Sequence, residues 1–103
     1  MSQQRRAQQR LTRQRLTLAT QSRRFEIEGA MIVGSDRDCD LRLEDAQVGG
    51  QHAEIYPVGT TWWIRDLGSD VGTYLNGEIV DAAPLQGSDE VQLGIDGPSV
   101  RFD

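Results

Sequence analysis

Gln51-His52-Ala53-Glu54-Ile55 and Gly68-Ser69-Asp70-Val71-Gly72-Thr73-Tyr74-Leu75-Asn76-Gly77 are the stretches on which the reading of this chain turns. The first opens a run in which apolar and polar residues alternate, the period of a half-buried strand. The second carries Gly68-Ser69, a turn signal between strands. It closes on Asn76-Gly77, a strong hairpin signal, because a type I′ turn needs positive φ at both central residues.

The same period-two pattern extends in both directions. Leu16 and Leu18 alternate with polar neighbours, Thr20-Gln21-Ser22 reads as a turn, and Phe25 and Ile27 alternate with Glu26 and Glu28. Met31, Ile32 and Val33 form a buried run ending at Gly34, and Leu41 and Leu43 alternate with Arg42 and Glu44. Ala53 to Tyr56, Thr61 to Asp66, Thr73 to Leu75, Glu90 to Leu93 and Val100 to Phe102 complete the strands. Pro57-Val58-Gly59, Gly68-Ser69, Asn76-Gly77, Gly87-Ser88-Asp89 and Asp96-Gly97-Pro98 punctuate them as turns. Many short strands at close spacing, with no helical pattern, predict an all-β sandwich or barrel.

At 103 residues the chain suits one domain with a single modest core, built around two Trp, two Phe and two Tyr. No apolar run reaches the length of a membrane span, and no apolar stretch follows the basic N-terminus to make a secretory signal. A lone cysteine, Cys39, excludes an internal disulfide framework, and a cytoplasmic location is the expectation. The net charge of −5 hides a split: the seven Arg of residues 1–24 face no acid, whereas residues 25–103 hold four Arg against sixteen acids. Every basic residue is Arg, and salt adaptation and genome bias would both produce that choice. Residues 1–14 read as a basic, Gln/Arg-rich arm expected to be flexible, and residues 15–103 as the folded domain. Ending at Asp103, just past the last strand, would suit a domain cut from a longer protein as well as a gene for this module alone.

Taken in order, Gly34-Ser35, Asp40-Leu41-Arg42-Leu43, Gly49-Gly50-Gln51-His52, Val71-Gly72-Thr73, Asn76-Gly77, Leu85, Gly87-Ser88-Asp89-Glu90-Val91 and Leu93-Gly94 resemble the forkhead-associated (FHA) domain, over about Leu16 to Phe102. That family is a small β-sandwich that usually reads phosphothreonine, so the resemblance implies an all-β, FHA-like β-sandwich of about ten or eleven short, mainly antiparallel strands. The resemblance implies structural roles for Gly34, His52, Gly72, Thr73, Asn76 and Gly77, with His52 bracing the loops internally. It also marks four substitutions, all at positions that hold the phosphopeptide. The family's phosphate-binding Arg is Ser35 here, and its phosphate-bonding Ser is Gly49. An often basic residue is Gly50, and the Asn that holds the peptide main chain is Val71. A phosphothreonine brings a charge of about −1.5 to −2 and three acceptor oxygens, so its capture depends on charge-assisted donors such as Arg. The corresponding loops offer Asp36, Asp38, Asp45 and Asp70 against Arg37.

Other constellations carry less. Asp36, Asp38 and Asp40 begin like a calcium loop, but Leu41 and Gln47 stand where such a loop needs Gly and Glu, so no metal or cofactor is expected. His52 and Cys39 are too few for a zinc site. Ser, His and Asp occur without a nucleophile elbow, so an enzyme is not expected. Cys39 reads as a half-buried small residue. Trp62 and Trp63 must face opposite sides of their strand; register with Ile64 puts Trp62 in the core and Trp63 outside.

The resulting expectation is a phosphate-independent protein-interaction or assembly module of FHA type, in a signalling or secretion setting. It would present its apex loops (residues 34–38, 45–51 and 68–71) or a sheet face to a protein partner. Arg37, Asp36, Ser69 and Asp70 are the candidate contacts. Two alternatives stand beside it. One is a phosphothreonine reader using Ser35 and Arg37. The other is a nucleic-acid binder acting through the arm of Arg5, Arg6, Arg10, Arg13, Arg15, Arg23 and Arg24, though nucleic acid is not the expected partner. Self-association of the basic arm with the acidic body is a further expectation, and it would be sensitive to salt.

Overall fold

The computed structural model describes residues 14–18 and 23–103. Two sheets face each other. The six-stranded sheet is ordered β2 (Arg23–Ile27), β1 (Gln14–Leu18), β11 (Ser99–Phe102), β10 (Asp89–Leu93), β7 (Thr73–Leu75), β8 (Glu78–Val80). The five-stranded sheet is ordered β4 (Leu41–Arg42), β3 (Met31–Gly34), β5 (Ala53–Val58), β6 (Thr61–Asp66), β9 (Ala82–Leu85). The pairings are antiparallel except β3 with β4, which run parallel with Val33 opposite Leu41 and Gly34 opposite Arg42.

Alternation explains the packing. Ala53 and Ile55 on β5, Trp62 and Ile64 on β6, Val91 and Leu93 on β10, and Val100 and Phe102 on β11 all point between the sheets and are buried. Their odd-step neighbours face outward, as the period of two requires. Trp62 meets Phe102 from the opposite sheet with ring centroids 6.5 Å apart and planes at 58°, an edge-biased contact that aromatic quadrupoles favour. Trp63, on the other face of β6, is only half-buried and lies opposite Tyr56 and Pro84. The register argument from Ile64 therefore holds.

Several local expectations change. Pro57 does not end its strand: β5 continues to Val58, and the turn is Gly59-Thr60. Beyond Ile55, β5 has left β3 behind and pairs only with β6, so a missing N–H is tolerated there. Gly59 takes φ 62°, the positive value that primed two-residue hairpins need. Two strands escaped the sequence pattern, β8 and β9. On β8 the apolar Ile79 faces out, and β9 holds Pro84 on a sheet edge. Asn76 and Gly77 take φ 50° and 89°, so the β7–β8 hairpin has the expected type I′ geometry. Residues 1–13 of the N-terminal arm and the turn expected at Thr20-Gln21-Ser22 lie outside the described residues, whereas Gln14 and Arg15 fall in β1 and Arg23 and Arg24 in β2, within the sheet and not an arm.

Candidate functional site

Three loops meet at one end of the sandwich: β3–β4, the segment leading into β5, and β6–β7. The β3–β4 loop is laced to the second by backbone bonds from Ser35 N to Gly49 O (2.9 Å) and Asp36 N to Gly50 O (3.1 Å). The Cys39 thiol adds a bond to Gly50 O at 3.0 Å. This closeness explains Gly34, where a Cβ would overlap the carbonyl of Gly50. At the mouth of the second loop, Asp45 Oδ1 accepts from Gln47 N at 2.9 Å, an Asx turn that reverses the chain toward Gly49.

His52 is fully buried and joins the second loop to the third. Its Nδ1 accepts from Gly49 N at 3.0 Å, and its Nε2 stands 2.9 Å from Gly72 O. An Nδ1 that accepts leaves the proton on Nε2, so Nε2–H donates to Gly72 and the ring is neutral. The backbone of His52 also donates to Val33 O and accepts from Leu67 N, each at 2.9 Å.

The third loop is built on Asp66, which the sequence pattern assigned only to a strand end. Its carboxylate accepts from Gly68 N (2.9 Å), Ser69 N (3.0 Å), Ser69 Oγ and Thr73 Oγ1 (2.7 Å). Burial alone would raise its pKa, but the donors from Ser69, Thr73 and Gly68 outweigh this and hold it below the ordinary value. The spacing Asp66-Leu67-Gly68-Ser69 carries the signal for such a turn. Ser69, one of the candidate contacts, is half-buried and turned inward, its Oγ accepting from Gly72 N at 3.0 Å. Thr73 is fully buried, so its role is structural, while Asn76 brackets β10 through Asp89 Oδ1 and Glu90 N, each at 2.9 Å.

At the four positions that the resemblance marks as substituted, the donors are few. The Ser35 hydroxyl donates to Val48 O at 3.1 Å. Gly49 spends its N–H on His52. At Gly50, both carboxylate oxygens of Asp36 stand 2.9 Å from where a Cβ would be. Val71 is exposed and carries no polar group. Arg37, Asp36 and Asp70 are exposed at the rim. A second cation, Arg42, reaches back to this end because β4 runs parallel to β3; its Nε donates to Ser35 O at 3.0 Å, and its guanidinium pairs with Glu44 at 2.8 Å. That register is a tertiary fact no local pattern could supply.

The Asp36, Asp38 and Asp40 carboxylates, which the sequence reading set aside as a calcium loop, do not converge: Asp40 turns its carboxylate to Ile32 N at 2.8 Å, and Asp36 faces Gly50. Among the described residues, no three His, Cys, Asp or Glu side chains are grouped to hold a metal. Burial pushes the Cys39 thiol pKa up, the bond with the Asp36 backbone lowers it, and the Asp36, Asp40 and Asp38 carboxylates add to the rise, leaving it raised overall. Half-buried, the thiol is a packed donor rather than a nucleophile. No helix among the described residues is long and apolar enough to cross a membrane.

Comparison with known proteins agrees with this geometry. The FHA domain family profile matches residues 31–94. Glycogen accumulation regulator GarA of Mycolicibacterium smegmatis is 44% identical over 61 residues, 59% of this chain and 39% of that protein. GarA of Mycobacterium tuberculosis is 40% identical over 72 residues, 69% of this chain and 44% of that protein. The chain thus spans about two fifths of the length of these curated relatives. A domain solved in a study of phosphothreonine-dependent FHA interactions superposes with a TM-score of 0.78 at 30% identity, covering 86% of this chain and 93% of that one. With the profile spanning the apex loops, the whole five-stranded sheet and half of the six-stranded one, this chain belongs to the forkhead-associated domain family and is a protein-interaction module of that kind.

Proposed function

We propose that this domain binds its protein partner without reading phosphate, as a non-catalytic interaction or assembly module in a cytoplasmic signalling or secretion setting. The supporting observation is the donor arrangement at the apex. Where the family pattern has Arg, the chain has Ser35, whose proton is already given to Val48 O. Where the family is often basic, Asp36 presents its carboxylate over Gly50. A phosphate entering here would meet a carboxylate in place of a guanidinium, and a like charge at close range opposes binding. Each charge-assisted hydrogen bond contributes about 1.5–3 kcal/mol, so removing two or three weakens binding by orders of magnitude.

Phosphothreonine recognition named for a solved relative favours the other outcome. On this chain it would require Arg37 to swing inward and Ser35 to abandon Val48. A titration at physiological salt against phosphothreonine peptides, with their unphosphorylated twins alongside, separates the readings. The expected result is no phosphate-dependent binding by a folded domain. Micromolar binding that needs the phosphate, and that Arg37→Ala abolishes, would overturn the proposal.

A further inference from the structure

We infer that Val71, Ile79 and Ile95, with Tyr74 beside them, form the contact surface for an unphosphorylated polypeptide segment carrying an aliphatic or aromatic anchor between basic residues. This rests on the phosphate-independent reading above and names the chemistry of the partner. Val71, Ile79 and Ile95 are exposed by 36%, 65% and 66%. A single exposed aliphatic residue needs no explanation, but several gathered at one place mark an interaction surface.

Their gathering is set by the backbone. Gly94 N donates to Gly72 O at 2.9 Å, which brings the β10–β11 turn against the β6–β7 loop. Val71 Cγ2 lies 2.9 Å from where a Cβ on Gly94 would stand, and Gly94 directly precedes Ile95. Ile79 Cδ1 lies 2.8 Å from the equivalent point on Gly72, which directly follows Val71, and Tyr74 Cε1 lies 3.5 Å from it. Tyr74 and Ile79 are opposite each other on the outward side of β7 and β8. Gly72 thus forms a floor under Ile79 and Tyr74, and Gly94 one under Val71 that Gln47 shares, its Oε1 2.8 Å from the same point, with Ile95 next in the chain. Val71 itself occupies the position where the family pattern places a polar residue for the peptide main chain.

Charge identifies the occupant. Each of the three aliphatic residues has an acid beside it in the chain: Asp70, Glu78 and Asp96. From Asp66 to Val100 there are seven acids and no basic residue. A partner with an apolar anchor and flanking Lys or Arg satisfies both the patch and the field around it. Such complementarity also rejects acidic and phosphorylated competitors.

The test uses the full chain and short unphosphorylated synthetic peptides with a central Leu or Phe, flanked by Arg, by Asp or by Ser; phosphothreonine peptides run as a separate arm. Arg-flanked peptides should bind, more weakly as salt rises. Ile79→Ser and Ile95→Ser should each weaken binding by roughly tenfold, the loss of one apolar anchor. Both sites are exposed, so the unfolding midpoint should not move, and Trp63→Ala should leave binding intact. Failure of a folded chain to bind any of these peptides would overturn the inference. So would a preference for Asp flanks, or a concentration-dependent dimer that Ile79→Ser dissolves. Binding of unphosphorylated peptides that depends on Trp63 instead of Ile79 would overturn this inference alone. Binding that requires phosphothreonine would overturn the preceding proposal as well.

Discussion

The Nε2–H of His52 donates to the carbonyl of Gly72 at 2.9 Å, and this bond, with the one from Gly49 N to Nδ1, fastens two apex loops to one imidazole. A ring with one accepting and one donating nitrogen can do this, and no hydrocarbon can. His52→Ala removes both bonds and leaves a cavity. It should cost about 2–4 kcal/mol of unfolding free energy, read by urea denaturation. A loss below about 0.5 kcal/mol would show that the loops hold without the ring.

Asp66 makes stability depend on acid. Its pKa is lowered in the folded state by donors that outweigh burial, so its contribution is present above the unfolded value of about 4 and is lost as pH falls through the folded one. Asp66→Asn keeps the shape but turns an amide toward donors. The variant should be less stable at neutral pH by about 1 kcal/mol, a modest figure because the carboxylate is half-exposed and screened. Urea midpoints for parent and variant should draw together as pH falls below the unfolded value and through the lowered folded one. A gap that stays constant with pH would assign the effect to packing.

On the phosphate-independent reading proposed above, phosphate recognition should be recoverable. A Cβ on Gly49 would meet nothing closer than His52 Nδ1 at 3.8 Å, so Ser fits there. Val71 is exposed and tolerates Asn. The triple variant Ser35→Arg, Gly49→Ser and Val71→Asn should therefore prefer a phosphothreonine peptide over its unmodified twin by roughly a hundredfold, from two or three restored charge-assisted bonds. Isothermal titration calorimetry measures this directly. A folded triple variant with no preference would mean that Asp36 alone is enough to exclude phosphate.

The Cys39 thiol donates to Gly50 O at 3.0 Å and has a raised pKa. Iodoacetamide should alkylate it several-fold more slowly at neutral pH than a free cysteine, because the thiolate is the reactive form. The rate should rise when the chain is unfolded in urea. Equal rates in both states would show that the thiol is not held.

The sequence pattern was most legible where local chemistry decides the geometry. Asn76-Gly77 names its turn because few residues accept positive φ twice in succession. Trp62 and Trp63 separate because a strand alternates. Legibility ended where a residue's role depends on distant partners. Asp66 looks like a strand end until four donors converge on it. Arg42 returns to the apex only because β4 runs parallel to β3. Strand β8 was hidden because its exposed isoleucine reverses the expected alternation, and β9 because Pro84 reads as a strand breaker off a sheet edge.

Strand β1 is clasped between β2 and β11, with Leu16 opposite Phe102 and Leu18 opposite Val100. The two extremes of the described fold are therefore neighbours in one ladder. The six-stranded sheet cannot close during synthesis until its last strand has left the ribosome, and contacts so distant in sequence favour slow folding. The same clasp sends residues 14 and 103 out at the end of the sandwich away from the apex. A surface, tag or neighbouring polypeptide joined at residue 14 or 103 would leave the apex loops facing outward.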